Sequence, residues 1–330
     1  MRKTYFDIIV EDQFQDNVKR KLLQGSLSFR RRIRKPIPLL YKYRALSEYS
    51  LNDIKGKTVS FTRIDSFNDV YDSSLHNSYS KRNKAGLWQI EKDFFLPAFV
   101  GTYASCFSEL DDSILMWSHY GDCSRGICIE YDFRLLSPDN LLTKALFPIA
   151  YTKRPIDFSE WLDDDRNAKE VYPIDSAVLC ASLNKSTIWE YEKEWRFVMI
   201  DVDKPYHEVY CKWPIDIYPK SITLGYHFLK KFFCNGDVAH REQELQDFNK
   251  NMKCFLDLLS FVKQERIEIK YACPLIGEYH MSTIRIDVLV LEQYISSNFK
   301  RNNNYQPQNM LHYAKYHNDF LISIGRYNNE

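Results

Sequence analysis

The chain has 330 residues, of which 45% are hydrophobic and 27% charged, a globular balance that excludes a disordered or fibrous polymer. Lys and Arg number 45 against 44 Asp and Glu, so a net charge of +1 draws the whole molecule neither to nucleic acid nor to an anionic membrane. Only 10 glycines are present, and neither G-x-G-x-x-G nor G-x-x-x-x-G-K-[ST] occurs, which removes the dinucleotide Rossmann and P-loop readings.

Aromatic residues reach 15%, so much of the packing must be aromatic. The eight cysteines are scattered without a C-x-x-C pair, which argues against zinc-ribbon and thioredoxin chemistry. The start MRKTYFDIIVEDQF turns acidic before a signal-type apolar segment forms, and no 18-residue apolar run follows. The expectation is a reduced, cytoplasmic protein with no membrane partner.

In chain order, a basic N-terminal arm spans 1–38. Lys19–Lys35 places eight positive charges in seventeen residues without an acid, a run suited to weak nucleic-acid contact or to a solvated helix face. Pro36 and Pro38 stop any helix there. Residues 39–295 read as a single α+β domain, and 296–330 as a polar C-terminal extension. Within that domain, Tyr41–Arg44 is an aromatic strand carrying one Arg, and TVSFTRI (58–64) alternates before a turn-rich loop at 65–74. TYASCFS (102–108), GICIEYDF (126–133), EKEWRFVMI (192–200) and SITLGY (221–226) are further strands. A short helix is expected within 110–121. Leu245, Phe248, Met252, Phe255, Leu256, Leu259 and Val262 mark one face of a long amphipathic helix. IEIKYA (267–272) and STIRIDVLVL (282–291) read as strands after it. Strands, a long helix and strands again predict a mixed or antiparallel strand-rich core with peripheral helices.

Glu192-Lys193-Glu194-Trp195-Arg196 opens an apolar strand, and strand alternation puts both carboxylates on one face. Carboxylates so close repel unless a cation or ligand compensates, and the pairing is expected to raise one pKa. Such a pair can stabilise an oxocarbenium ion with one member and take a proton with the other. Ser105 and Ser108 flank Cys106 and Phe107 where a strand enters a helix, a place to hold a backbone corner or a ligand. Ser105 is no hydrolase nucleophile, since G-x-S-x-G is absent. Arg44 is placed to fork onto a diphosphate or to pair with a surface acid. In MWSHYGDCSRGICIEYD, His119 is a candidate acid, base or ligand, Gly126 gives the turn its backbone freedom, and Arg125 is a candidate phosphate contact.

The order of Arg, then Ser-x-x-Ser, then Glu-x-Glu resembles the R-S-E arrangement of ADP-ribosyltransferases. Those enzymes carry Ser-Thr-Ser where Ser105-Cys106-Phe107-Ser108 stands, so both serines remain candidates for the central place. The resemblance implies split sheets, NAD as substrate and no metal. Arg44 would grip the diphosphate or nicotinamide ribose, and the central serine would support the nicotinamide half. Glu194 would stabilise the oxocarbenium ion, and Glu192 would position or deprotonate an acceptor, protein or nucleic acid. Tyr103, Phe67 or Trp117 would stack on nicotinamide, with His119 beside them. A more specific resemblance is to the bacterial domain-of-unknown-function family 2971. It is carried by YKYRAL (41–46), FTRIDSFNDVYDSS (61–74), SCFSELDDSILMWSHYGDCSRGICIEYD (105–132), IWEYEKEWRF (188–197) and ITLGY (222–226). It speaks to architecture more than to reaction; Val70 and Asp72 stand where proline and glutamate are expected.

The leading expectation is therefore an ADP-ribosyl transferase or NAD glycohydrolase of a bacterial defence or toxin system. A metal-dependent nuclease using Asp65, Asp69, Asp72 and Glu194 with the basic arm is a second class. A non-catalytic sensor or interaction module is the third.

Overall fold

A computed structural model describes residues 37–73, 101–137, 140, 142, 145–155, 174–200, 209–235 and 240–325; the basic run Lys19–Lys35 lies outside them. In chain order the strands and helices used below are β1 (Leu40–Arg44), α1 (Glu48–Lys55), β2 (Thr58–Arg63), β3 (Thr102–Ser108), α2 (Ile114–His119), β4 (Ile127–Tyr131), β5 (Leu146–Pro148), β6 (Ala150–Thr152), α3 (Ile174–Ser182), β7 (Asn184–Ser186), β8 (Glu194–Ile200), β9 (Tyr210–Pro214), β10 (Ser221–Leu224), α4 (Arg241–Glu265), β11 (Glu268–Pro274), β12 (Met281–Ile286), α5 (Val288–Phe299) and α6 (Tyr313–Ser323). The architecture is α+β. Contacts divide the chain into two compact units of interleaved sequence: 1–38, 58–109 and 133–216 form one, and 39–57, 110–132 and 217–330 form the other. The stretch 39–295 thus contributes to both units, and 296–330 supplies α6 to the second.

In the first unit five strands pair in the order β9-β2-β3-β8-β5, every pair antiparallel. β8 is buried on both faces. Trp195 and Phe197 fill one, where Phe107, Phe133 and Phe197 meet edge to face with ring centroids 5.0–5.5 Å apart. The opposite face presents Glu194 and Arg196, both buried. Val59 and Phe61 lie in this core as the alternation of β2 requires. The short parallel pair β6–β7 carries the chain from α3 back toward β8.

In the second unit the order is β1-β4-β10-β11-β12, antiparallel except for the parallel β10–β11 pair. α1 begins at a capping box in which Ser47 and Ser50 satisfy each other's main-chain N–H. α4 buries Phe248, Met252, Phe255, Leu259 and Val262, the face read from its 3.6-residue period. Phe228, Phe232, Phe255 and Phe299 pack there as an aromatic cluster. α6 docks through Phe320, whose ring lies 4.9 Å from Tyr271 and 5.0 Å from Tyr294.

Two sequence expectations are corrected. STIRIDVLVL is not one strand: the strand ends at Ile286, and Asp287 caps a new helix by accepting the Leu289 N–H at 2.8 Å. The late strand begins at Glu194 rather than Glu192, because Thr187–Glu192 is a 3-10 turn closed by Lys193 in the left-handed region. Among the described residues no helix is long and apolar enough to cross a membrane.

Candidate functional site

The charged face of β8 is the centre of a buried ion cluster in the first unit. Arg196, 1% exposed, donates Nη1 and Nη2 to the two Asp72 oxygens at 2.7 and 2.6 Å, a bidentate fork. Its Nε and Nη2 reach Glu194 at 2.6 and 3.0 Å, and Nη1 also donates to the Ser182 carbonyl at 2.7 Å. Lys185 on β7 places its ammonium 2.6 Å from Glu192, 3.2 Å from Glu194 and 3.6 Å from Asp72. The Phe67 ring covers the Arg196 guanidinium at 5.1 Å and the Trp189 ring lies 4.9 Å from the Lys185 ammonium.

Local structure explains why these side chains meet. Glu194 starts β8 with its main-chain N–H donating to the Tyr151 hydroxyl at 2.8 Å. Residues two apart on a strand share a face, so Arg196 folds back onto Glu194. The left-handed Lys193 reverses the chain, so that Glu192 reaches the same ammonium from the preceding 3-10 turn.

Burial acts to raise the Glu194 carboxyl, but Arg196 first and Lys185 second overcome it and hold the pKa down at about 2. Burial acts to lower the Lys185 ammonium, and its carboxylate neighbours, Glu194 foremost, push it above the ordinary lysine range. The expectation that crowding would raise a member of the pair does not hold for Glu194, because two cations stand between the acids. Among the described residues, the ion pairs of this cluster join three carboxylates to two cations.

The register of β3 on β8 separates the two serines. Ser108 pairs with Glu194 and Cys106 with Arg196, so both share the charged face, while Ser105 pairs with Phe197 and Tyr103 with Met199 on the aromatic face. Ser108 donates its hydroxyl to the Glu192 carbonyl at 2.6 Å and fixes the corner from which both glutamates project.

Arg44, Trp117 and His119 lie in the second unit. Arg44 donates to the buried Asp53 at 2.7 Å, with its guanidinium 5.5 Å from the Tyr49 ring. Trp117 is a fully buried core residue, edge-on to Tyr43 at 5.0 Å, with its indole N–H donating to the Asp111 carbonyl. His119 ends α2 with its ring 6.2 Å from Tyr120.

Of the carboxylates suggested for a metal, Asp65 pairs with Arg63 at 2.7 Å, Asp69 caps the Tyr71 N–H, and Asp72 belongs to Arg196. Among the described residues no group of three or more His, Cys, Asp or Glu is placed to hold a metal ion. Sequence reasoning missed Lys185 as part of the site. Its signal was present: between Asp175 and Glu190 it is the only charged residue, set in an apolar stretch. A lone cation in such a stretch asks for a buried acid.

Comparison with known proteins agrees with the family resemblance. Residues 116–197, from α2 through Phe197 of β8, match the model of a family described as Protein of unknown function (DUF2971). No curated protein and no solved structure is similar to the chain.

Proposed function

We propose that the first unit carries an NAD-consuming centre for ADP-ribosyl transfer or NAD hydrolysis, built on Glu192, Glu194, Ser108, Lys185 and Arg196. The observation that carries this reading is the geometry of the buried cluster, where two glutamates share one ammonium. Nicotinamide in NAD is a cationic leaving group, and the ribose becomes an oxocarbenium ion as it departs. A fixed, water-poor negative site favours such a cation without reorganising.

In the proposed step the bond from ribose C1′ to the nicotinamide ring nitrogen breaks, and its electron pair leaves with neutral nicotinamide. Glu194, ionised across the physiological range, faces the developing cation. Water or an acceptor group of a protein or nucleic acid then bonds to C1′, and Glu192 takes its proton. Ser108 positions this pair through the Glu192 carbonyl and touches no reacting atom. Arg196 and Lys185 hold the carboxylates apart and charged. Phe67 and Trp189, already over the two cations, are aromatic surfaces beside the cluster. Arg44, paired with Asp53 in the second unit, is given no part in this step. The setting is a cytoplasmic bacterial defence or toxin protein; all eight cysteines lie among the described residues and none forms a disulfide, which suits a reducing compartment.

Incubation with NAD tests the reading through free nicotinamide. Glu194→Gln should lower its release by at least about 100-fold, the scale of one electrostatic contact made in the transition state. Equal release by the folded variant, or none by the wild type with any acceptor mixture, overturns it.

A further inference from the structure

The turn from α2 into β4 holds three consecutive non-glycine residues in the left-handed region: Asp122, Cys123 and Ser124, with φ of 53°, 52° and 62°. L-residues rarely adopt this conformation even singly, and such backbone persists only where its surroundings enforce it, commonly at sites that bind something. The enforcement is visible. Ser124 N–H donates to the Trp117 carbonyl at 3.0 Å, Gly126 N–H to Gly121 at 2.8 Å, and the Ser124 carbonyl accepts the His227 N–H at 2.8 Å. By contrast, the Asp122 and Cys123 main-chain N–H groups donate to no acceptor among the described residues.

Cations gather around this turn. Arg125 and Lys231 each reach one oxygen of Asp122 at 3.0 Å, and Lys230 lies 5.2 Å over the Tyr313 ring. Two cations thus share one carboxylate, and Lys230 joins Arg125 in acting on His227, so positive charge exceeds negative at the turn. His227, whose Nδ1 is 3.3 Å from the Tyr313 hydroxyl and whose ring lies 5.0 Å from Tyr226, registers the local field. Its pKa is lowered by burial and then by Lys230 and Arg125.

We propose that this turn is a phosphate-binding site, in which Arg125, Lys230 and Lys231 supply charge and the Asp122 and Cys123 amides supply hydrogen bonds to the anion's oxygens. The site is local to the second unit and uses none of the carboxylates of the NAD-consuming centre. The shared chemistry is the phosphate group, borne by inorganic phosphate or by a nucleoside monophosphate.

The test is an amide and histidine NMR titration of the full chain with inorganic phosphate, 5′-AMP, adenosine and, at matched ionic strength, sodium chloride. Saturable shifts of the Asp122 and Cys123 amides are expected with phosphate, 5′-AMP or both, and with neither adenosine nor chloride. Binding should raise the His227 pKa by about half a unit, since anion and proton then favour one another about threefold. Arg125→Gln with Lys230→Gln should weaken binding at least about tenfold, an unchanged amide pattern elsewhere certifying the fold. A stronger response to 5′-AMP than to inorganic phosphate assigns a nucleotide and supports the site. Absence of saturable shifts, an equal response to chloride, a response to adenosine alone, or unaltered binding by the folded double variant overturns it.

Discussion

Replacing Arg196 by Met removes the guanidinium but keeps much of its volume, and takes from the cluster one of the two cations that the described residues place among Asp72, Glu192 and Glu194. The lost contacts are the fork to Asp72 at 2.6 and 2.7 Å, two contacts to Glu194 at 2.6 and 3.0 Å, and one to the Ser182 carbonyl at 2.7 Å. Removing one partner of a buried ion pair costs about 3–5 kcal/mol, because the remaining charge stays buried and uncompensated. That is a large part of the roughly 5–15 kcal/mol that holds a domain folded. The pH dependence distinguishes this mechanism from a cavity. In the wild type the Glu194 pKa drops from 4.5 to about 2 on folding, so the group's contribution is present above pH 4.5 and lost as pH falls toward 2. At about 1.36 kcal/mol per unit this is on the order of 3 kcal/mol. In Arg196→Met the carboxylates are crowded, their pKa values rise, and protonation relieves repulsion, so lowering the pH from 7 to 5 should narrow the gap to wild type. Urea unfolding followed by Trp fluorescence at both pH values measures this. A loss under about 1 kcal/mol at pH 7, or a gap that widens on acidification, refutes the reasoning.

Ser108→Ala removes a buried hydrogen bond to the Glu192 carbonyl and should lower stability by about 1–2 kcal/mol in the same urea experiment. Gly225→Ala would place a methyl 2.3 Å from the Ser124 carbonyl oxygen, a main-chain atom that cannot swing aside; a thermal shift experiment should show a loss of at least about 2 kcal/mol. Glu130 on β4 accepts from Lys220, Ser221 and Lys270, which together overcome burial and hold its pKa below the usual carboxylate range. Glu130→Gln should therefore cost about 1–3 kcal/mol at pH 7, with the difference fading as pH falls through about 4 and below, in paired denaturation curves.

Legibility in the sequence followed the physics of each element. α4 was readable because Phe248, Met252, Phe255, Leu259 and Val262 repeat at helical spacing and bury one face. The VLVL run after Asp287 was ambiguous, since four apolar residues suit a strand or a helix, and the carboxylate cap that decides the matter was read as part of a strand. At the site, Glu192 and Glu194 stood out because paired acids at the head of an apolar strand are locally anomalous. Their partners did not, because Asp72 and Lys185 arrive through tertiary structure, and a buried cation has no local signature beyond isolation. Which of Ser105 and Ser108 shares the face of Glu194 was closed to the sequence for a related reason: the register of β3 on β8 sets it, and register is a property of the pair.

The pH profile of nicotinamide formation from NAD tests the central claim most directly. With Glu194 as the ionised group facing the reacting ribose and a pKa of about 2, the wild-type rate should show no acid limb from Glu194 between pH 4 and 7, while folded Glu194→Gln stays at least about 100-fold slower throughout. Absence of nicotinamide at every pH, or an acid limb near pH 5 that Glu194→Gln abolishes, would contradict the account.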